Sequence, residues 1–181
     1  MIETERLILR PWHDDDAETL YRYAKDPAIG SAAGWPAHRS VEESREIIRT
    51  VFADPEVYAV ELKDSGEAVG CCGLLFGESA NSSCVETGHA EIGYWIGVPF
   101  WGRGLIPEAV NALVGRCFGE LNLSAVWIGY YDGNDKSRRV AEKCGFAYHH
   151  TEHGKFSASG DVRTEHFMIK RRAEHRRDAL R

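Results

Sequence analysis

The stretch best suited to chemistry is Trp101-Gly102-Arg103-Gly104-Leu105-Ile106, which lies between an apolar run ending at Val98 and a long, mostly apolar segment over residues 105–121. Glycines let a backbone approach a ligand closely, and the first amides of a helix point outward without intrahelical partners. Strand, glycine loop and helix in that order make a phosphate site. Two nucleotide signatures fail. A Walker loop needs Gly-x-x-x-x-Gly-Lys-Ser/Thr, and a dinucleotide fingerprint needs a third glycine where Pro107 stands.

Other candidates read as structural. Cys71, Cys72, Cys84, Cys117 and Cys144 form no Cys-x-x-Cys pair and read as reduced core residues. His149, His150, His153 and His166 gather near the end of the chain without finger-like spacing, so they read as exposed strand histidines and no metal is expected. His149 or His153 stays open as a base or a substrate contact. Trp12, Trp95, Trp101 and Trp127 read as core, and Trp35, in a loop, as the substrate-facing exception.

Periodicity supplies the elements that must position the glycine loop. Residues 5–12 read as a strand ended by Pro11, and Asp14-Asp15-Asp16 complement the macrodipole of a helix striped by Ala17, Leu20, Tyr21 and Ala24. Residues 30–39 read as loop, and Ser40-Val41-Glu42-Glu43 as a capping box opening a helix through Val41, Ile48, Val51 and Phe52. Residues 57–62 and 67–76 form a hairpin, and a polar loop over 77–88 leads to an antiparallel strand over 89–98. The 105–121 helix is expected to be buried over most of its circumference. A strand over 125–130, a helix over 135–143 with Ser137 facing inward, and strands over 146–153 and 164–170 complete the chain before a charged tail, 170–181.

Composition bounds the reading. A chain of 181 residues with 43% hydrophobic and 28% charged residues predicts one globular domain over 1–181. The acidic start Met1-Ile2-Glu3-Thr4-Glu5 and the absence of a long apolar run predict a cytoplasmic protein without a membrane partner. The net charge of −6, with basic residues concentrated in the tail, disfavours general nucleic-acid binding.

Ala90-Glu91-Ile92-Gly93-Tyr94-Trp95-Ile96-Gly97-Val98, then Trp101-Gly102-Arg103-Gly104, then Asn134-Asp135-Lys136-Ser137 through Gly145-Phe146, closely resembles the GNAT superfamily of N-acetyltransferases. With Thr4-Glu5-Arg6-Leu7-Ile8-Leu9-Arg10 and Glu108-Ala109 the chain is similar to the Rim-type ribosomal-protein N-terminal acetyltransferases over roughly residues 3–170. The resemblance implies an α+β domain flanked by helices. Its mixed, mostly antiparallel sheet has six or seven strands, splayed between the fourth and fifth, with acetyl-CoA in the gap and no metal. It assigns cofactor binding to Ile96, Val98, Trp101, Gly102, Arg103, Gly104, Leu105, Ile106, Asn134 and Ser137, with Arg103 as the phosphate cation.

The tyrosine acid that many members place seven residues after the asparagine is Ala141 here, so Ser137 becomes the expected proton donor to the departing thiolate. Glu91 is the expected general base, directly or through water, and a backbone N–H near residues 96–98 the expected oxyanion donor. The expected reaction is direct attack of an amine on acetyl-CoA in a ternary complex. The first-choice acceptor is the N-terminal α-amine of a protein. A small amine (aminoglycoside, polyamine or amino acid) and a non-catalytic acyl-CoA-binding domain are the alternatives, in a monomer or homodimer.

Overall fold

The computed structural model describes residues 1–173 and His175. Its strands are β1 (Ile2–Glu3), β2 (Leu7–Arg10), β3 (Val57–Leu62), β4 (Ala68–Leu75), β5 (His89–Ile96), β6 (Ala125–Tyr131), β7 (Ala147–Phe156) and β8 (Val162–Arg171). The helices are α1 (Ala17–Ala24), α2 (Pro27–Ala33), α3 (Val41–Thr50), α4 (Leu105–Phe118) and α5 (Asp135–Lys143). One mixed sheet runs in the order β1-β2-β3-β4-β5-β6-β8-β7, and of its pairs β5–β6 is parallel.

The α+β architecture agrees with expectation, and four details correct it. The sheet has eight strands rather than six or seven, because β1 pairs with β2 over two residues, too short a run to show alternation. Residues 27–33 form α2, which takes in the first part of the loop expected over 30–39. Asp26 accepts the Ala28 N–H at 2.9 Å, Pro27 opens the helix and Gly34 ends it at φ 80°. Gly30 marks close packing rather than a turn, since a Cβ there would lie 2.5 Å from the Trp35 carbonyl oxygen. Val51, expected on the apolar stripe, follows the last turn of α3 and is exposed. The last strand keeps Lys170 as expected and also takes in Arg171, expected in the tail, and buried Lys170 donates to the Cys144 carbonyl at 2.9 Å. The rest of the expected tail, from residue 174 on, lies outside the described residues apart from His175.

The sheet separates two apolar layers. On one face α4 buries Leu105, Ile106, Ala109, Val110, Leu113, Val114, Cys117 and Phe118 against Val69, Leu74, Ile92, Val126 and Ile128. Full burial of a leucine such as Leu113 stabilises by about 2 kcal/mol. On the other face Leu20, Ala24, Ile29 and Ile48 pack on Ala59, Cys71 and Trp95. All five cysteines are free, and burial pushes the Cys71 and Cys117 thiols up to about 12, which leaves them uncharged and unreactive. Among the described residues no helix is long and apolar enough to cross a membrane.

The feature that matters for function is where β5 and β6 part. They pair only at His89↔Ala125, Ala90↔Val126 and Glu91↔Trp127. Beyond Glu91, β5 stays paired with β4 up to Gly70↔Ile96, while β6 stays paired with β8 up to Tyr131↔Glu165. The sheet therefore splays from residue 92 onward, between its fifth and sixth strands, which are the fourth and fifth of the sequence reading.

The β4–β5 pair forms one wall of that splay and tolerates no side chain at Gly70, where a Cβ would lie 2.4 Å from the Trp95 carbonyl oxygen and 2.9 Å from Ile96 Cα. Gly70→Ala is expected to cost about 2 kcal/mol by overpacking against backbone. Urea unfolding checks this, and an unchanged midpoint would show that the strands can yield.

Candidate active site

The splay opens into a cleft of about 1500 Å³. Residues 91–96 of β5, the first turns of α4 and α5, the end of β6 and residues 28–35 around α2 line it. Three hydrogen bonds hold α2 across the opening. The Ser159 N–H donates to the Gly34 carbonyl at 2.9 Å, Arg163 Nη1 to the Ser31 carbonyl at 2.7 Å, and Asn134 Nδ2 to the Ala32 carbonyl at 3.2 Å.

One end of the cleft suits phosphate. Gly102 and Gly104 take φ of 75° and 77°, and Gly104 begins α4 with no side chain capping it, so the first-turn amides stay available. The loop is held from behind. Arg6 Nη1 donates to the Arg103 carbonyl at 2.9 Å and Arg6 Nε to Glu108 Oε2 at 2.7 Å, while Thr4 Oγ1 and the Arg6 N–H donate to Glu108 Oε1 at 2.5 and 2.8 Å. Glu108, in the first turn of α4, complements the helix dipole as well. The Trp101 indole N–H donates to the Ile96 carbonyl at 2.9 Å, and Lys136 Nζ lies 3.5 Å from the centre of its ring. Lys136, Arg139 and Lys143 of α5 also line the cleft, so this end is cationic.

Of the expected cofactor residues, Ile96, Trp101, Gly102, Gly104, Leu105, Ile106, Asn134 and Ser137 line the cleft. Val98 and Arg103 do not. Val98 packs into the α1-side core, and Arg103 is exposed, its guanidinium 5.6 Å from the centre of the Phe100 ring. Asn134 caps α5, its Oδ1 accepting the Ser137 N–H at 3.2 Å.

Alternation along β5 sends neighbouring side chains to opposite faces. Tyr94 points to the α4 and α5 face, where its hydroxyl lies 2.7 Å from Ser137 Oγ. Burial pushes the Tyr94 phenol up, and the Ser137 hydrogen bond opposes that shift, so the pair is two neutral hydroxyls. The sequence reading missed this partnership, although Tyr94 shares its face with the core residues Ile92 and Ile96.

Glu91 points to the other face and is 1% exposed. Its Oε2 accepts the Asn81 and Ser82 N–H groups, each at 2.9 Å, and its Oε1 accepts Asn81 Nδ2 at 2.8 Å. Burial raises its pKa, and these donors offset part of the shift. Glu165, on the same face and 5% exposed, also lines the cleft. No hydrogen bond reaches its carboxylate among the described residues, and burial together with the Glu91 charge pushes its pKa up to about 7. The sequence reading passed over Glu165, whose only sequence signal is that strand alternation puts it on one face with Phe167 and Ile169.

Trp35 lines the cleft as expected and packs edge-on to Trp95, ring centres 5.9 Å apart. The histidines lie outside the lining. His149 packs edge-on against Trp127 at 4.8 Å, and His153 Nδ1 meets Thr164 Oγ1 at 3.1 Å.

Residues 6–147 match the family model described as the acetyltransferase (GNAT) domain, most of the chain and all of the splay. The chain belongs to the GNAT acetyltransferase family. The "Uncharacterized N-acetyltransferase p20" of Bacillus licheniformis is 31% identical over 128 residues, 68% of each chain. The "Putative ribosomal N-acetyltransferase YdaF" of Bacillus subtilis is 49% identical over 57 residues, 32% of this chain and 31% of that one. A GNAT-family acetyltransferase structure from Bacillus anthracis superposes with a TM-score of 0.81 at 20% identity, covering 96% of this chain and 99% of that one. This acetyltransferase departs from the family's tyrosine pattern at Ala141, which is fully buried.

Glu165 also sets a pH dependence of stability. Its folded-state pKa is raised, so the unfolded chain loses this proton first. Stability from this group is therefore unaffected below pH ~4.5 and falls as pH rises to about 7, by on the order of 3 kcal/mol in all. Glu165→Gln is expected to remove that fall and to melt above the wild type at pH 8. Thermal melts from pH 4 to 8 check it, and parallel curves for the two proteins would contradict it.

Proposed function

We propose that this acetyltransferase moves the acetyl group of acetyl-CoA onto the N-terminal α-amine of a protein, by direct attack in a ternary complex. The supporting observation is the polarity of the splay, cationic and amide-rich at the α4 end and lined by Glu91, at the last β5–β6 pair, and by Glu165. The CoA phosphates lie on the first-turn amides of α4. The pantetheine amides pair with the free edge of β5, and a backbone N–H near residues 96–98 holds the developing oxyanion.

Glu91 steadies the acceptor ammonium by its charge while the amine loses its proton. Ser137, hydrogen-bonded to Tyr94, returns a proton to the departing thiolate. Both demands are modest for an α-amine. Deprotonating a group of pKa ~8 at pH 7 costs about 1.4 kcal/mol, against about 4.6 for a lysine, and a thiol of pKa ~8.5 leaves with little help. The resemblance to the Rim-type group and the relative named as a putative ribosomal N-acetyltransferase support a ribosomal-protein acceptor.

The deciding assay is CoA thiol release from acetyl-CoA. Its acceptors are peptides beginning Ala or Ser, the same peptides N-blocked but carrying lysine, polyamines and aminoglycosides. Release only with free N-termini is expected. Release only with small amines moves the acceptor to that class, and acetyl-CoA binding without release to any amine replaces catalysis by acyl-CoA sensing. Two substitutions refine it. Ser137→Ala is expected to lower kcat about tenfold with little change in KM. Arg6→Ala, which frees the phosphate loop from behind, is expected to raise the acetyl-CoA KM about tenfold while sparing kcat.

A further inference from the structure

Two carboxylates reach the same face of the sheet near the splay, and their surroundings divide the work between them. Glu91 sits at the last β5–β6 pair, Glu91↔Trp127, with both oxygens engaged by N–H donors. Glu165 pairs with Tyr131 across β6–β8. Its side chain leans over the neighbouring Gly129, since a Cβ built at Gly129 would lie 2.5 Å from Glu165 Oε1. Gly129 stands two residues beyond Trp127, where β6 has already left β5. The glycine therefore opens the space in which the second carboxylate lies at the mouth of the splay. Glu165 is 5% exposed, lines the cleft and takes no hydrogen bond from the described residues.

We propose that Glu165 is the group that accepts the proton the acceptor amine must lose, and that Glu91 is the anchored charge beside it. This rests on the acetyl-transfer reading above. An ammonium entering the cleft meets a carboxylate with free lone pairs at Glu165 and, at Glu91, one that already accepts three N–H bonds. One proton passes from R–NH3⁺ to Glu165, giving R–NH2 and a neutral carboxylic acid that later returns the proton to solvent. The nitrogen lone pair then forms the N–C bond to the thioester carbon. The C–S bond breaks with its electron pair on sulfur. The second proton lost by nitrogen ends on sulfur through the Ser137 hydroxyl, leaving an N-acetyl amide and CoA thiol.

The groups around Glu165 favour this role. Glu91 of β5 and Glu152 of β7, its cross-strand partner, raise its proton affinity. Lys155 of β7 opposes them, but its ammonium is paired with Glu152 at 2.8 Å. Tyr131 of β6 faces it as a neutral phenol, itself raised by burial and by the Glu165 charge. The net result is a carboxyl that titrates about 7 and can both take and release a proton near neutrality.

The test is the pH profile of kcat/KM for wild type and Glu165→Gln with Ala- and Ser-initiated peptides, alongside acetyl-CoA binding by calorimetry. The wild type is expected to rise with a midpoint about 7. Glu165→Gln is expected to bind acetyl-CoA as the wild type does and to be ~100-fold slower at pH 7. Its profile should rise only with the acceptor's own pKa of ~8, so that the deficit narrows in alkali. A wild-type rate and limb in Glu165→Gln would overturn the inference while leaving acetyl transfer standing. Failure of the wild type to acetylate any amine would overturn both. If Glu165→Gln does not fold, Gly129→Ala decides, because it keeps the carboxylate but occupies its place. A displaced limb supports the assignment, and an unmoved limb with an unchanged rate overturns it.

Discussion

Strands β5 and β6 share three paired positions and then separate, leaving one edge of β5 from Ile92 to Ile96 without a strand neighbour. Inside a protein, each backbone N–H or C=O left without a partner costs about 1–3 kcal/mol. The rest of the sheet holds the gap open, because β4 keeps β5 from Glu91 to Ile96 and β8 keeps β6 along its full length. The interior therefore presents a strand edge facing the gap, with the Ile96 carbonyl taken by the Trp101 indole and the rest open to an extended, amide-bearing ligand. A sheet without this break would be more regular, and it would have no cleft.

Charge is distributed along that break by the ends of elements rather than by their middles. The positive end of the α4 dipole faces the cleft through two glycines with left-handed backbones. Arg6 serves the site without facing a ligand. It spans Glu108 and the Arg103 carbonyl, so the first strands of the chain brace the start of a helix some hundred residues later. Around the last β5–β6 pair the environment reverses, with the buried carboxylates of Glu91 and Glu165. Neighbouring sites of opposite charge suit a polyanionic donor that meets a cationic acceptor.

The gap also lets the two faces of one sheet cooperate. Strand alternation places Tyr94 and its partner Ser137 on the helical side of α4 and α5, and Glu91 on the opposite side with Trp95. In an unbroken sheet these groups would be screened from each other by backbone. Across a splayed one, hydroxyl donors and carboxylate acceptors reach the same space from opposite directions, as proton traffic on and off a reacting amine requires. The α2 strap, tied to the β7–β8 turn and to Asn134, closes that space from above.

Local periodicity and short motifs were enough to read most strands and helices, the buried α4 and the glycine loop, because each depends on residues near one another in the chain, whereas Glu91 and Ser137 were singled out by the family resemblance. Helix α2 escaped because Gly30 and Pro36 read as loop, although Asp26, Pro27 and Gly34 carried the cap signals. Strand β1 escaped because two residues have no period. The pairing of Tyr94 with Ser137, the clamp of Arg6 on Glu108 and the space Gly129 leaves for Glu165 join residues from 36 to 102 positions apart. The sequence by itself determined most of the strands and helices and the glycine loop between β5 and α4. Only the tertiary structure decided which side chains meet and which are desolvated, because proton affinity and unpaired backbone depend on what lies across the gap rather than along the chain.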